Sequence, residues 1–304
     1  MDQLLPGKTS LGVEISKKLN GEVISADSMQ IYKELSIGTA KVREEEKQGV
    51  THHLIDICSI KEKYSVAEFK KMCYDKIIDI INRKKTPVIV GGTGLYVSSV
   101  VNNMSFEEEQ VDEEYRNYLY ELAKVKSNEY VYEILKNIDP ESARNIHPNN
   151  LKRVIRAIEI AKNTSKIKSE HMKEELERLQ KQQPEFKFIV FYIDYSRDVI
   201  YERINKRVDL MLKEGLLEEA KMVYDMDFPS NCTCMQSIGY KEFFPYFKEE
   251  ITLDEAIEKL KLETRKYAKR QETWFKNKLD IIKIDGNLSI LHKVDYIINY
   301  LNKL

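Results

Sequence analysis

Pro6-Gly7-Lys8-Thr9-Ser10 has the composition of the end of a phosphate-binding loop. In such a loop glycine lets the backbone approach a phosphate, lysine reaches the phosphate oxygens, and a hydroxyl holds Mg²⁺. The residues from Leu11 onward predict a helix whose N-terminus would point at the anion. A Gly-Lys-Thr tripeptide is common by chance, but its position directly before a helix and an alternating strand and helix pattern favours phosphate binding.

Short β-branched runs alternate with longer helical stretches along the rest of the chain. Residues 22–26, 87–90, 188–193 and 281–284 predict buried strands. Helices between successive strands favour an α/β fold of the P-loop type, an open parallel sheet with helices on both faces. Residues 111–185 lose the strand signal and predict three or four helices. We therefore predict a core of residues 1–110 and 186–304 with an inserted all-helical subdomain at 111–185.

One segment of the insertion predicts an amphipathic helix. Its apolar residues recur at helical spacing: Leu151, Val154, Ile155, Ile158 and Ala161. Arg153 and Arg156 lie on its polar side, three residues apart, so both project from one face.

Composition excludes some classes of protein and leaves others open. The 304 residues carry a formal net charge of −1, so the overall charge indicates no polyanionic partner. Residues 261–278 hold seven lysines and arginines against two glutamates, which supports nucleic-acid binding only weakly because solvated helix faces often look like this. No stretch approaches the roughly 18 apolar residues of a membrane span, and no charged-then-apolar leader opens the sequence, so we expect a cytoplasmic protein without membrane contact. We also expect a monomer. Four cysteines in a chain of this length do not suggest a disulfide framework, so we expect reduced thiols. Cys232 and Cys234 have no second pair at zinc spacing, which disfavours a metal site there.

Polar and glycine-rich segments follow two of the predicted strands. Asp27 comes directly after the first strand, where open α/β sheets place ligand groups, although such an aspartate can equally cap a turn. Gly91-Gly92-Thr93-Gly94 follows the next, where glycine permits a tight turn and close ligand approach. Both segments are expected at the same edge of one sheet. Arg207 could reach over bound phosphates or lie solvated on its helix.

Two further segments favour structural roles. His52 and His53 are adjacent on a predicted strand, so their side chains point to opposite faces and are unsuited to sharing one metal ion. Trp274 with Phe275 is expected to anchor a C-terminal helix to the core.

Taken together, these segments resemble the tRNA dimethylallyltransferase (tRNA isopentenyltransferase) family of bacterial type. The resemblance covers nearly the whole chain in family order, in residues 7–9, 24–33, 37–41, 52–56, 90–96, 152–159, 235–242 and 264–271. It implies an enzyme that moves the dimethylallyl group from dimethylallyl diphosphate to N6 of the adenosine 3′ of the anticodon in tRNA.

The resemblance also implies roles for particular residues. Catalysis would rest on Asp27, which orients the adenine amine and accepts its proton, with Thr9 and Arg207 on the leaving group. Diphosphate would be bound by Gly7, Lys8, Thr9 and Ser10, with Thr9 holding Mg²⁺. The tRNA would be contacted by Asp27, Ser28, Met29, Gln30, Thr93, Arg153, Arg156, Gln236, Gly239, Tyr240 and Lys241, with the insertion gripping the anticodon arm and the target base flipped into a channel.

The start of the chain departs from the family pattern. Asp2 and Leu4 stand where the loop's first glycine and a threonine are expected, so we predict weakened diphosphate binding from a shortened or altered loop. Three alternatives stay open from the residues alone: a small-molecule phosphotransferase, a prenyltransferase acting on free adenine nucleotides, and a catalytically impaired RNA-binding relative.

Overall fold

A computed structural model describes residues 7–106, 112–163, 167–181, 185–228 and 232–304 of the chain. The strands are β1 (Gly21–Ala26), β2 (His52–His53), β3 (Thr86–Gly91), β4 (Val190–Asp194) and β5 (Ile281–Asp285). The helices are α1 (Lys8–Lys18), α2 (Glu44–Lys47), α3 (Val66–Asn82), α4 (Gly94–Val101), α5 (Glu113–Val125), α6 (Asn128–Ile138), α7 (Pro140–Asn145), α8 (Leu151–Asn163), α9 (Lys168–Lys181), α10 (Arg197–Lys213), α11 (Leu216–Asp225), α12 (Phe244–Phe247), α13 (Leu253–Lys278) and α14 (Ile290–Leu301).

The strands pair only in parallel within the described residues. β1 lies between β2 and β3, and β4 pairs with β5. The predicted α/β fold with a parallel sheet is confirmed, with one difference: the described strands form two parallel sheets instead of one. Leu11 and Ile15 of α1 pack in a single apolar cluster with Val88 of β3, Phe191 of β4 and Ile284 of β5, so one helix covers strands of both sheets.

The chain divides into two compact units. The first comprises the described parts of residues 1–102 and 187–304, and the second comprises those of 103–186. The insertion predicted at 111–185 falls inside the second unit, whose described residues hold five helices where three or four were expected. The extra break has a local cause: Pro140 has no N–H to continue α6, and the Asp139 side chain caps α7 by accepting from the Ser142 N–H at 3.0 Å.

The second unit is built on the apolar face that the sequence predicted for α8. Val154, Ile155 and Ile158 are buried and pack with residues of α5 and α6. This burial of an apolar stripe gives the unit its own core.

A larger core cluster of the first unit includes the segment that follows β1. Ile31 and Leu35 of this segment pack against α10, α11 and α13, together with the fully buried Tyr240 and Phe243. The chain after β1 is therefore held from several distant segments. None of the helices within the described residues combines the length and apolar character that crossing a bilayer needs.

Candidate functional site

The candidate site lies where β1 and β3 end. The parallel register pairs Ala26 with Gly91, so Asp27 and the Gly92-Thr93 pair leave the sheet side by side. The backbone N–H of Thr93 donates to the Ala26 carbonyl at 3.2 Å and ties the two segments together. The structure thus brings Asp27 and Thr93 to one edge, as the strand ends predicted.

Asp27 both builds a turn and offers a carboxylate oxygen. Its Oδ1 accepts hydrogen bonds from the N–H groups of Met29 at 2.9 Å and Gln30 at 3.4 Å. Such a side-chain turn satisfies backbone donors that leave regular structure. No hydrogen bond to Oδ2 comes from the part of the chain that the structure describes. Asp27 can therefore both cap the turn and face a ligand, because each role uses a different carboxylate oxygen.

Thr93 is fixed against this turn. Its Oγ1 accepts from the Ser28 N–H at 3.0 Å and lies 3.3 Å from the Ser28 Oγ, to which it donates. Tyr267 of α13 lies nearby: burial raises its pKa, the Asp27 carboxylate raises it further, and the neighbouring Gln271 and Thr93 side chains lower it. Thr93 is consequently held against the turn by hydrogen bonds with Ser28 and Ala26.

The glycine-rich segment is shaped by the close approach of α13. The Gln271 Nε2 donates to the Gly92 carbonyl at 2.7 Å. A Cβ on Gly92 would lie 2.5 Å from that same Nε2 and 2.9 Å from the Lys8 Nζ, and a Cβ on Gly94 would collide with the Trp274 ring. Space therefore favours glycine at position 94, whereas a side chain at position 92 would displace the flexible ends of Gln271 and Lys8. Trp274 anchors α13 as expected, through a 2.9 Å bond from its Nε1 to the Ser98 Oγ.

Lys8 and Arg207 place two cations near Asp27. Both side chains are solvent-accessible. Desolvation by surrounding protein lowers the pKa of Lys8, with Asp27 opposing the effect and Arg207 adding to it. Desolvation likewise lowers the pKa of Arg207, which Asp27 and Glu46 oppose. Neither cation forms a hydrogen bond or salt bridge with another described residue.

The first turn of α1 adds donors to this positive site. Gly7 is the N-cap and makes no side-chain bond, and the first turn contains no acidic residue. The first N–H groups of a helix have no partner within the helix and attract anions. Thr9 and Ser10 lie in this turn and are half-buried. The predicted contacts of Asp2 and Leu4 lie outside the described residues.

The donors present suit a Mg²⁺ ion that arrives with a diphosphate. No group of three or more His, Cys, Asp and Glu side chains capable of holding a metal occurs within the described ranges. Mg²⁺ commonly keeps several waters and binds through few protein oxygens plus substrate phosphates. The Thr9 hydroxyl at the helix terminus would hold such an ion, with phosphate oxygens and waters supplying the remaining ligands.

The segment from Gln236 to Lys241 divides into accessible and buried parts. Gln236 is exposed and Lys241 is half-buried, whereas Gly239 and Tyr240 are buried. Tyr240 is 0% exposed and its hydroxyl donates to the Glu219 Oε1 at 2.8 Å. A direct contact of the Tyr240 side chain with tRNA is not supported by this burial, because its polar atom already has a protein partner.

In the second unit, Arg153 and Arg156 share one surface of α8. Arg153 is exposed, and Arg156 lies 3.7 Å from the buried carboxylate of Glu159. Desolvation lowers the pKa of Lys168, the charges of Arg153 and Arg156 lower it further, and Asp139 opposes them. The three cations are therefore near enough to interact.

The histidine pair and the Cys232 and Cys234 thiols have neighbours within the protein. His52 Nδ1 lies 2.9 Å from the Val50 carbonyl, and His53 Nε2 lies 2.7 Å from the buried Glu22 carboxylate. Cys232 and Cys234 are free thiols with their Sγ atoms 3.3 Å apart.

Sequence reasoning missed the parts of the site supplied by α13 and α11. Tyr267, Gln271 and Trp274 recur at spacings of four and three, which places them on one helix face, and this periodicity could have indicated that α13 lines the site. Glu219 shows no local signal, since its partners are distant in the sequence.

The fold and site define a parallel α/β protein in which a helix N-terminus and two cations lie close to one carboxylate. Over residues 30–278 the sequence matches the family described as IPP transferase. The tRNA dimethylallyltransferase of Bacillus licheniformis is 48% identical over 279 residues, which cover 92% of this chain and 87% of the relative. The chain therefore belongs to the IPP transferase family, and the resemblance found in the sequence is confirmed.

Solved structures agree with this assignment. The crystal structure of a tRNA delta(2)-isopentenylpyrophosphate transferase from Staphylococcus epidermidis is 42% identical, covers 98% of this chain and 96% of its own, and superposes with a TM-score of 0.70. That of the full-length tRNA isopentenylpyrophosphate transferase from Bacillus halodurans is 41% identical, covers 98% and 92%, and gives a TM-score of 0.71. The family is one of transferases.

Proposed function

We propose that the chain transfers the dimethylallyl group of dimethylallyl diphosphate to N6 of the adenosine 3′ of the anticodon in tRNA. The observation that carries this proposal is the placement of two cations, Lys8 and Arg207, near the half-buried Asp27 carboxylate, where neither cation pairs with a described residue. Two cations suit a leaving diphosphate, and one carboxylate suits a proton acceptor. Membership of the family and the names of its relatives support the same reaction.

The diphosphate is bound at the N-terminus of α1. Lys8 and Arg207 hold its oxygens, and the N–H groups of the first turn together with the hydroxyls of Thr9 and Ser10 complete the cradle. As the bond from the allylic carbon to the diphosphate oxygen breaks, negative charge grows on the diphosphate, and these positive groups stabilise it. A Mg²⁺ ion held by Thr9 would supply further charge when bound.

The acceptor base enters against the turn of residues 27–30. The adenine N6 forms a bond to the allylic carbon while its proton passes to the Asp27 Oδ2, the oxygen that the turn does not use. Ser28, Met29, Gln30 and Thr93 border this position and would contact the nucleotide. A base must leave its stack to reach such a cleft, so the substrate adenosine is flipped out of the anticodon loop.

The helical unit supplies a surface for the tRNA backbone. Arg153 and Arg156, with Lys168, present positive charge that suits phosphates. Gln236 and Lys241 of the first unit are accessible for further contacts. Because the substrate is tRNA, we place the enzyme in the cytoplasm, as expected from the sequence.

The decisive experiment offers two acceptors in parallel. The chain is incubated with dimethylallyl diphosphate, Mg²⁺ and either total tRNA or AMP, and digests are analysed by mass spectrometry for N6-dimethylallyl adenosine. The proposal expects product in tRNA and not in AMP, and loss of product in Asp27→Asn. Prenylated AMP without prenylated tRNA would support the free-nucleotide alternative instead.

A further inference from the structure

Glu219 on α11 has a carboxylate that accepts four hydrogen bonds from two other segments. Its Oε2 accepts from the backbone N–H groups of Ser36 and Ile37, both at 2.9 Å. Its Oε1 accepts from the Gly38 N–H at 2.8 Å and from the Tyr240 hydroxyl at 2.8 Å. A carboxylate has about four acceptor positions, so the hydrogen-bonding capacity of Glu219 is filled by protein donors.

These bonds fix a tight turn that carries two carbonyl oxygens toward the site. The carbonyls of Thr39 and Ala40 accept from the Gln30 Nε2 at 3.2 and 3.3 Å. Ala40 adopts a left-handed φ of 47°, a strained conformation that persists only where surrounding contacts determine it. The Gln30 backbone N–H in turn donates to the Asp27 Oδ1 at 3.4 Å. A chain of hydrogen bonds thus runs from Glu219 to the proposed proton acceptor.

The Tyr240 ring packs closely against the backbone of the 36–40 turn at Gly38. A Cβ on Gly38 would lie 2.6 Å from the Tyr240 ring, so the ring packs directly on the backbone of the turn. Gly239, which precedes the tyrosine, has a φ of 107° that favours glycine. The Tyr240 side chain is fully buried, and its hydroxyl donates to the same Glu219 carboxylate that binds the N–H groups of the turn.

We propose that Glu219 is a positioning residue for the transfer reaction, holding the 36–40 turn so that Gln30 keeps the Asp27 carboxylate aimed at the acceptor amine. This inference rests on the proposed function. Glu219 touches neither substrate, and its effect passes through Gln30, whose backbone N–H shares the Asp27 Oδ1 with that of Met29. A general base works only within hydrogen-bond reach of its proton, so small shifts of Asp27 cost rate.

The test compares two carboxylates with similar local duties. In Glu219→Gln, the amide turns an –NH₂ toward at least one of the four donors and loosens the turn. Glu34→Gln is the matched control, since the Glu34 carboxylate accepts from the Ser59 Oγ at 2.8 Å and the Ile60 N–H at 2.9 Å without contacting the 36–40 turn. Steady-state kinetics with tRNA, thermal melting and amide hydrogen exchange are measured on wild type and both variants.

A positioning role predicts a split between the kinetic constants. Glu219→Gln should lower kcat by roughly 10- to 100-fold, the loss expected when a reacting group shifts by about 1 Å. KM for dimethylallyl diphosphate should stay within about twofold, because Lys8 and Arg207 lie on other segments. The amides of Met29 and Gln30 should exchange faster. Glu34→Gln should lose melting temperature with kcat and those two amides unchanged.

The outcomes separate this inference from the proposed function. Wild-type kcat in a folded Glu219→Gln, with unchanged exchange at Met29 and Gln30, overturns the positioning role. If wild type prenylates no tRNA, the proposed function fails, and the exchange rates alone decide whether Glu219 orders the Asp27 turn. If Glu219→Gln does not fold, Tyr240→Phe removes one donor, and a kcat loss of roughly threefold or more is expected; wild-type kcat in that variant overturns the inference.

Discussion

Replacement of Asp27 separates its two roles, because each of its oxygens serves one of them. Asp27→Asn keeps an oxygen that can accept from the Met29 and Gln30 N–H groups, found at 2.9 and 3.4 Å from Oδ1. It replaces Oδ2 with an amide nitrogen that accepts no proton. We expect kcat to fall by roughly 10²–10⁴, the usual contribution of a general base. Asp27→Ala should lose the same rate and also the turn, at about 0.5–1.5 kcal/mol of stability for each bond.

Asp285 provides the matched control for the turn. It ends β5, and its Oδ1 accepts from the Asn287 N–H at 2.8 Å, so it builds the same kind of turn after a parallel strand. Asp285→Ala should lower the melting temperature to a similar degree with kcat unchanged. Initial rates of N6-dimethylallyl adenosine formation at saturating substrates, together with thermal melts, test all the variants. Near wild-type kcat in Asp27→Asn would refute the proton-acceptor role and leave Asp27 with the turn alone.

Three further predictions concern charge. Because desolvation lowers the pKa of Lys8 below 10.5, the affinity for inorganic diphosphate, measured by calorimetry, should fall as the pH rises through that lowered pKa. Lys8→Gln should show no such fall. A wild-type affinity that stays constant up to pH 10.5 contradicts the prediction. Arg153→Ala and Arg156→Ala should each reduce the slope of log K for tRNA against log salt by about one unit or less, and an unaltered slope in the double variant returns both to a solvated face. Hydrogen bonds from Arg83 lower the pKa of the buried Glu22 below 4.5, so the contribution of Glu22 to stability is present above that pH and lost as the pH falls. Glu22→Ala should cost roughly 3–5 kcal/mol of unfolding free energy at neutral pH and make that free energy less dependent on pH in the acid range. The same acid pH dependence as in wild type would speak against this role of Glu22.

The positions of the strands could be predicted from continuous β-branched runs, but of the four predicted strands only β1 is buried over most of its length as expected, whereas β3 and β4 are half-buried. β1 and β3 extend the predicted 22–26 and 87–90 by a residue or two, and their parallel pairing follows from the helices between them. The same reasoning predicted that Asp27 and Thr93 would meet, since parallel strands end at one edge. The break before Pro140 is also readable, as a proline that follows a capping aspartate.

The hydrogen bonds that α11 and α13 make to the site could not be predicted, because each joins residues that are far apart in the sequence. Glu219 bonds Gly38 across 181 residues, and Gln271 bonds Gly92 across 179. Neither residue type at its position carries a local pattern that names its partner. Tyr240 illustrates the same limit, since only the packed structure shows that its hydroxyl faces Glu219 rather than the surface.

A single-turnover measurement tests the central claim most directly. Enzyme in excess over tRNA is mixed with dimethylallyl diphosphate and Mg²⁺, and both released diphosphate and N6-dimethylallyl adenosine 3′ of the anticodon are measured in quenched samples. We expect the two products to appear together at equal rates and in equal amounts, and both rates to fall in parallel by roughly 10²–10⁴ in Asp27→Asn. Diphosphate released without prenylated adenosine, or prenyl transfer at the wild-type rate in Asp27→Asn, would contradict this mechanism.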